Sequence, residues 1–289
     1  MPSDRKIGVH MYAISPNTPE AVFVGAPREV DVDVVVPVYN EQAELGSSIL
    51  LLLSHLQKAS RTGMPFSWQV VIADNASTDS TWQLACTLVN EHPDSVRAVR
   101  IPRKGRGRAL KRTWERSCAR VLSYMDVDLS TDLASFPALV GPILEGGADV
   151  SFGSRLLPGS RVTRSAKREV ISRTYNLLLR RYLGVSFRDA QCGFKAISSE
   201  AAAVLLPLVE DDEWFFDTEL LVKAERLGAA MNEVAVTWRE DPGTTVHIVD
   251  TALKDLRGMH RLKHEGNTAG KGDRRPMGQR FGRAVMPGE

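Results

Sequence analysis

The chain has 289 residues, 43% of them hydrophobic and 25% charged, with a formal net charge of +2. That balance is ordinary for a soluble globular protein and excludes a collagenous, coiled-coil or wholly disordered chain. The length suits one large α/β domain or two smaller ones, and a core of that size needs no staples. The three cysteines, Cys86, Cys118 and Cys192, form no C-x-x-C pair. They predict neither a disulfide framework nor a zinc site and suit a reducing compartment. No run reaches the ~18 apolar residues of a membrane span. Residues 1–30 carry Pro2, Pro16, Pro19 and Pro27 but no signal-peptide core. The expectation is a cytoplasmic protein without a transmembrane segment, which meets any membrane from its surface.

Residues 1–30 read as a flexible arm. Val32–Val38 (VDVVVPV) then has the β-branched character of a buried strand. Helical spacing follows over Glu41–Ala59, with Leu45, Ile49, Leu52, Leu53 and Leu56 on one face. A second strand is predicted at Trp68–Ala73 and a second helix at Ser77–Asn90, capped by Ser77 or Thr78. Then come a strand at Val96–Ile101, a helix at Arg106–Val121, a strand at Leu122–Met125 and another at Asp149–Gly153. Alternation of this kind predicts a doubly wound, mostly parallel sheet, with ligands beyond the carboxyl ends of its strands. The second half predicts a loop at 155–163, a helix at Lys167–Tyr182 and a loop at 184–193. Helices follow at Ser199–Pro207 and Asp217–Leu227, a strand at Met231–Trp238 and a last helix at Ile248–His264. Residues 31–264 form a single domain in this reading, and 265–289 a disordered basic tail.

Polar groups gather where strands end. Pro37-Val38-Tyr39-Asn40-Glu41 closes the first strand and Asp74-Asn75-Ala76-Ser77-Thr78-Asp79 the second. Carboxylates there can accept hydrogen bonds from a base or a ribose, although such residues also favour caps. Asp126-Val127-Asp128 leaves the strand at Leu122–Met125. Two carboxylates at i and i+2 suit a hard divalent ion, Mg²⁺ or Mn²⁺, bridging phosphate oxygens. Arg103, Lys104, Arg106, Arg108, Lys111 and Arg112 crowd into residues 103–112 with no acid. Arg155, Arg161, Arg164, Lys167, Arg168, Arg173, Arg180 and Arg181 follow, against Glu169 alone. Arginine forks bind phosphate oxygens in pairs, while part of such a run only solvates helix faces. Near-zero net charge and the lack of a stacking platform argue against nucleic acid. Arg188-Asp189-Ala190-Gln191-Cys192-Gly193-Phe194-Lys195 puts an acid, an amide and a base in one Gly-containing loop. Asp189 there reads as a general base, an orienting group or half of a structural pair. Asp217 opens a helix, where capping is the plain alternative.

In this order and spacing the segments resemble the family 2 glycosyltransferases of the GT-A fold, over about residues 31–262. The run RDAQCGFKAISSEAAAVLLPLVEDDEWFFDTELLVKA, followed by EVAVTWRED and PGT, is similar to the dolichyl-phosphate β-glucosyltransferase branch, a neighbour of the polyprenyl-phosphate mannose synthases. The resemblance implies a Rossmann-like nucleotide-binding half joined to helical acceptor-side elements. It implies a metal-dependent, inverting transfer of a hexose, glucose before mannose, from a nucleotide sugar to a polyprenyl phosphate. UDP-glucose is the favoured donor and GDP-mannose the second.

By match to the family motifs, Pro37, Tyr39, Glu41, Asp74, Lys104, Arg108 and Asp126 would contact the donor. Asp126 and Asp128 would hold the metal. Asp189, Asp128, Arg155 and Lys195 are the implied catalytic group. Arg164, Lys167, Arg168 and Gln191 would meet the acceptor phosphate. A phosphate monoester is already anionic near neutral pH, so positioning and charge relief matter more to it than a base. Members with membrane helices are common, and this sequence shows none. Val246, Val249, Leu253, Leu256 and Met259, interleaved with Lys254, Arg257, Arg261 and Lys263, make the last helix amphipathic. That face either packs on the domain or lies on the cytoplasmic face of a membrane. The competing functions are transfer to a soluble acceptor, a sugar nucleotidyltransferase, and a non-catalytic binding protein. PVYNE in place of a Gly-rich loop argues against the nucleotidyltransferase. Retention of Asp74, Asp126, Asp128 and Asp189 argues against loss of activity.

Overall fold

The computed structural model describes residues 21–62, 65–240 and 248–265, with side chains in the last stretch from Lys254 onward. Its strands are β1 (Val22–Val24), β2 (Val32–Val38), β3 (Trp68–Asn75), β4 (Val96–Ile101), β5 (Val121–Met125), β6 (Val150–Ser154), β7 (Arg161–Thr163), β8 (Phe194–Ser198), β9 (Met231–Ala235) and β10 (Thr237–Arg239). Its helices are α1 (Leu45–Arg61), α2 (Thr81–Glu91), α3 (Arg106–Trp114), α4 (Phe136–Leu144), α5 (Ala166–Leu183), α6 (Ser199–Leu205), α7 (Phe216–Arg226) and α8 (Ile248–His264).

Eight strands form one sheet in the order β1-β4-β3-β2-β5-β8-β6-β9. The run β4-β3-β2-β5 is parallel and every residue of β2 is buried, as a strand covered on both faces requires. One core layer takes Val35, Val71, Val99 and Tyr124, and the other takes Val34, Val36, Ile72 and Met125. The sheet is mostly parallel as expected, with four parallel pairings among the described residues, and turns antiparallel at β1 and β8. β8 lies antiparallel to both β5 and β6, so that the parallel run and the second half of the sheet share one strand. β7 and β10 form a separate two-stranded parallel pair.

Several sequence expectations need correction. The end of the presumed arm is strand β1, paired antiparallel with β4; residues 1–20 and 266–289 lie outside the described residues. Neither Ser77 nor Thr78 caps α2, which begins after Ser80. Both instead bind Asn40, knitting the ends of β2 and β3 together. The helix predicted to reach Val121 stops at Trp114, because Val121 already pairs with Val32 in the sheet. The strand predicted at Met231–Trp238 breaks at Val236 into β9 and β10, which serve different sheets. α4 and β8 were not foreseen. In α8, Met259 and Leu262 are buried while Leu256 is exposed, so part of its apolar face packs on the domain. Among the described residues no helix is long and apolar enough to cross a membrane.

Candidate active site

The site sits where β2, β3 and β5 end and where the chain enters β8. Asn40 and Ala76 adopt positive φ at two of these ends, which turns the loops sharply. Asn40 accepts from Thr78 N at 2.8 Å, and Glu41 N donates to Thr81 Oγ1 at 2.8 Å. Beneath them Asp74 is fully buried. Its Oδ1 accepts from Ser77 N at 3.1 Å, while Oδ2 lies 3.4 Å from Arg100 Nε. That Oδ2 accepts no hydrogen bond among the described residues, which leaves a buried acceptor at the strand end. Pro37 is buried in the strand and Tyr39 lies at its exit, with Lys104 Nζ 3.6 Å from its ring centroid. Asn75 Oδ1 accepts from Gly105 N at 2.6 Å, docking the start of α3 on the same edge. Gly105 has φ +156°, and a Cβ there would fall 2.5 Å from Asp212 O, so glycine is required.

Beyond β5, Asp126 and Asp128 border a pocket completed by Leu129, Thr131, Gly193 and Trp238. Asp128 accepts from Ser130 N at 3.0 Å and from Ser130 Oγ at 2.7 Å. Asp126 Oδ1 takes Arg106 Nη2 at 2.6 Å, and Arg106 Nη1 reaches Asp217 Oδ2 at 2.7 Å. The Tyr124 hydroxyl donates to Asp217, and Lys195 Nζ lies 3.4 Å from Asp217 Oδ1 and 2.5 Å from Cys192 O. Burial alone would raise the Asp217 carboxyl, but Lys195 and Arg106 hold it below the usual carboxylate range. Burial and the neighbouring Asp217 push the Tyr124 hydroxyl well up, so it stays a proton donor. Asp189 is fully buried. Arg155 grips it through Nε to Oδ2 at 2.7 Å and Nη2 to Oδ1 at 2.9 Å, with the Arg155 backbone N–H at 3.0 Å. Burial opposes the charge, yet Arg155 holds the Asp189 pKa at about 2. The Arg155 guanidinium also stacks over Trp238, 5.4 Å from its centroid.

Thus Asp126, Asp128, Asp189, Arg155 and Lys195 come together, and Pro37, Tyr39, Asp74 and Lys104 share the neighbouring strand ends. Other candidates face elsewhere. Arg108 pairs with Asp212 at 2.7 Å and donates to the Lys104 carbonyl, bracing the loop rather than facing the pocket. Gln191 Nε2 donates to Asp255 in α8 at 3.0 Å. Arg164 pairs with Glu169 at 2.5 Å and Arg168 with Glu240 at 2.8 Å, while Lys167 is exposed. Arg164 Nη2 is buried without a hydrogen-bond partner among the described residues.

Sequence reasoning placed neither Arg106 nor Asp217 in the site. Asp217 lies in the first turn of α7 without capping it, its side chain turned inward to Arg106 and Lys195. The available signal was a buried acid in an aromatic run, WFFD, facing a basic helix start.

Asp126 and Asp128 fit a divalent ion in chemistry, offering hard oxygens at one strand end. No cluster of three or more His, Cys, Asp or Glu residues suited to a metal gathers among the described residues. The protein would thus supply part of a coordination shell and a phosphate-bearing substrate the rest.

Comparison with known proteins gives this arrangement its class. Residues 33–206 match the family model described as glycosyl transferase family 2. The chain is 37% identical over 231 residues to glycosyltransferase AglD of Haloferax volcanii, covering 80% of this chain and 36% of that protein. It is 30% identical over 254 residues to the dolichyl-phosphate beta-glucosyltransferase of Mus musculus, covering 80% and 77%. Glucosyl-3-phosphoglycerate synthase from Mycobacterium tuberculosis, solved with Mn²⁺, uridine diphosphate and phosphoglyceric acid, superimposes with a TM-score of 0.55 at 22% identity. That alignment covers 81% of this chain and 77% of the other, and it supports the GT-A fold. The chain belongs to glycosyltransferase family 2, and it is a glycosyltransferase.

Proposed function

We propose that the protein moves a hexose, glucose by preference, from a UDP-sugar to a polyprenyl or dolichyl phosphate, with inversion at the anomeric carbon. An acceptor phosphate oxygen would form the new bond as the nucleoside diphosphate leaves on the opposite side. A relative named for dolichyl-phosphate glucosyl transfer, aligned over most of both chains, supports this reading.

The observation that carries a lipid acceptor is the outer face of α5. Val170 is 64% exposed, and Leu177 and Leu178 are each 49% exposed. Arg173, Arg180, Arg181 and the half-exposed Tyr182 lie among them. An exposed apolar stripe flanked by Arg173, Arg180 and Arg181, with Glu169 the one acid on the helix, suits a helix lying in an anionic membrane interface. That helix carries the exposed Lys167 in its first turn, between Arg164 and Arg168, which are paired with Glu169 and Glu240, and α8 packs alongside with Leu256 exposed.

In this reading the Oδ2 of Asp74, which lies near Arg100 but accepts no hydrogen bond from the described residues, accepts from the base, and Lys104 and Tyr39 flank the nucleotide. Asp126 and Asp128 hold a Mg²⁺ or Mn²⁺ ion, which supplies charge neutralisation for the departing diphosphate. Asp189 is ionised and committed to Arg155, so it orients Arg155 rather than taking a proton. Arg155 and Lys195 provide fixed positive charge where two anionic phosphates must approach. A position on the cytoplasmic face of a membrane accords with that acceptor.

A donor panel tests the function. UDP-glucose, UDP-galactose, UDP-N-acetylglucosamine and GDP-mannose are each offered with Mn²⁺ or Mg²⁺ and a short polyprenyl phosphate, and product mass is read. Lipid-linked hexose from UDP-glucose is expected. Transfer from GDP-mannose alone would replace the donor assignment. Hydrolysis without lipid product would move the acceptor to a soluble phosphate.

A further inference from the structure

Arg106 has an unusual place in the site. Its guanidinium is almost fully buried, with Asp217 at 2.7 Å on one side and Asp126 at 2.6 Å on the other. The rings of Tyr124 and Trp214 lie 4.8 Å and 5.1 Å from its Cζ. The group therefore has little freedom to leave. Asp126 differs from Asp217, because its side chain is 42% exposed and borders the pocket. Its Oδ1 meets Arg106, and its other oxygen rests against the bare Cα of Gly193, where a Cβ would fall 1.6 Å from Oδ2. The exposed half of the acidic pair is thus already held by a buried cation at one oxygen. Asp128 faces Ser130.

We infer that Arg106 is a built-in counter-cation for Asp126, which keeps a divalent ion from settling on Asp126 and Asp128 unless a diphosphate arrives with it. This rests on the reading of those two acids as the ion-holding pair. The physical basis is competition. The guanidinium offsets the Asp126 charge and fixes its Oδ1, and it is itself preorganised by Asp217, Tyr124 and Trp214. An ion alone meets an Asp126 whose charge is already offset, and among the described residues it finds two protein carboxylates at the pocket. An ion that comes with a diphosphate brings its remaining oxygen ligands with it. Arg106 would thereby couple ion binding to donor binding, a positioning role for a residue 20 positions before Asp126 in the chain.

The test is the affinity of the full chain for Mn²⁺ alone, read from the free-ion signal in electron paramagnetic resonance. Arg106→Gln should bind Mn²⁺ about tenfold more tightly than the parent, a coupling of about 1.4 kcal/mol. Adding Asp128→Asn should remove the gain. A merely structural role for Arg106 gives the opposite sign, since a loosened site binds less. Arg106→Gln leaves Asp217 short of a cation and is at risk of folding poorly. The double variant Arg106→Gln/Asp217→Asn removes both buried charges together and should show the same gain. Asp217→Asn alone, which leaves the guanidinium wholly to Asp126, should weaken Mn²⁺ binding. Unchanged or weaker affinity in a folded Arg106 variant overturns the inference. Parent protein with UDP and Mn²⁺ separates the two claims. If Asp128-dependent binding appears there but Arg106→Gln shows no gain, only the counter-cation idea falls. If no Asp128-dependent binding appears under any condition, the ion-site reading falls as well.

Discussion

Asp189 and Arg155 meet through two parallel hydrogen bonds, Nε to Oδ2 at 2.7 Å and Nη2 to Oδ1 at 2.9 Å, and the carboxylate is fully buried. Such a pair is hard to break from one side, because the survivor is left charged and dry. Asp189→Asn should therefore cost about 3–5 kcal/mol of unfolding free energy, measured in denaturant. The pH dependence follows from the same pair. The Asp189 pKa is lowered in the fold, from 3.8 to about 2. Its contribution is complete above the unfolded value and is lost as pH falls toward about 2. A rate profile between about pH 5 and 8 should consequently show no limb that Asp189→Asn removes.

Asp255 behaves in the opposite way. Burial raises it from 3.8 to about 6, despite hydrogen bonds from Tyr175 and Gln191, and Oδ1 has no partner among the described residues. A carboxyl raised in the fold gains stability when protonated, and the gain disappears as pH rises through about 6. Asp255→Asn should stabilise the protein by about 2 kcal/mol at pH 8 and leave it nearly unchanged at pH 4. Thermal unfolding at the two pH values measures the difference. Equal effects at both would remove the titration from the account.

Asp128→Ala should reduce metal-dependent turnover by roughly 10²–10³-fold while circular dichroism and unfolding midpoint stay near the parent values. The side chain is half-buried and accepts hydrogen bonds from the neighbouring Ser130 at the edge of the pocket. Near-normal activity in this variant would remove Asp128 from the ion site.

Gly193→Ala places a Cβ 1.6 Å from Asp126 Oδ2, which forces the carboxylate or the loop to move. Turnover should drop at least about tenfold, and the loss should appear in kcat more than in donor KM, since the strand edge at Asp74, proposed above to take the base, is untouched. Steady-state kinetics with varied donor check the split.

The sequence showed the nucleotide-binding half plainly and the second half in part. β2, β3 and β4 are apolar runs between turn signals, and β2 falls where it was expected, at Val32–Val38. α4 escaped notice because Pro137 and Pro142 punctuate it, although Pro is tolerated in a first turn. β8 escaped because Gly193 and Lys195 read as loop, yet Lys195 is buried against Tyr124 and Asp217 inside the sheet. The cluster around Arg106 had no spacing to betray it. Arg106 and Asp217 lie 111 residues apart and meet only once α3 and α7 dock. Arg108, Gln191 and Arg168 carried the right chemistry in the right segments, but side-chain direction depends on neighbours that spacing does not report.

The antiparallel β8 has a bearing on how the molecule is made. β5 and β6 both precede it in the chain, yet neither pairs with the other in the finished sheet, because β8 fills the space between them. Pairing Tyr124 with Lys195 brings together residues 71 positions apart. Pairing over such separations slows folding, because the entropy of closing the intervening chain is spent before the contact repays it. Until then Asp217 lacks one of its two cations. A slip of one position in β8 would exchange the places of Phe194 and Lys195 between opposite faces of the sheet. The pocket therefore depends on one strand inserted between two that precede it in the chain, and a chain that ends before Phe194 places neither Lys195 nor Asp217 beside Tyr124.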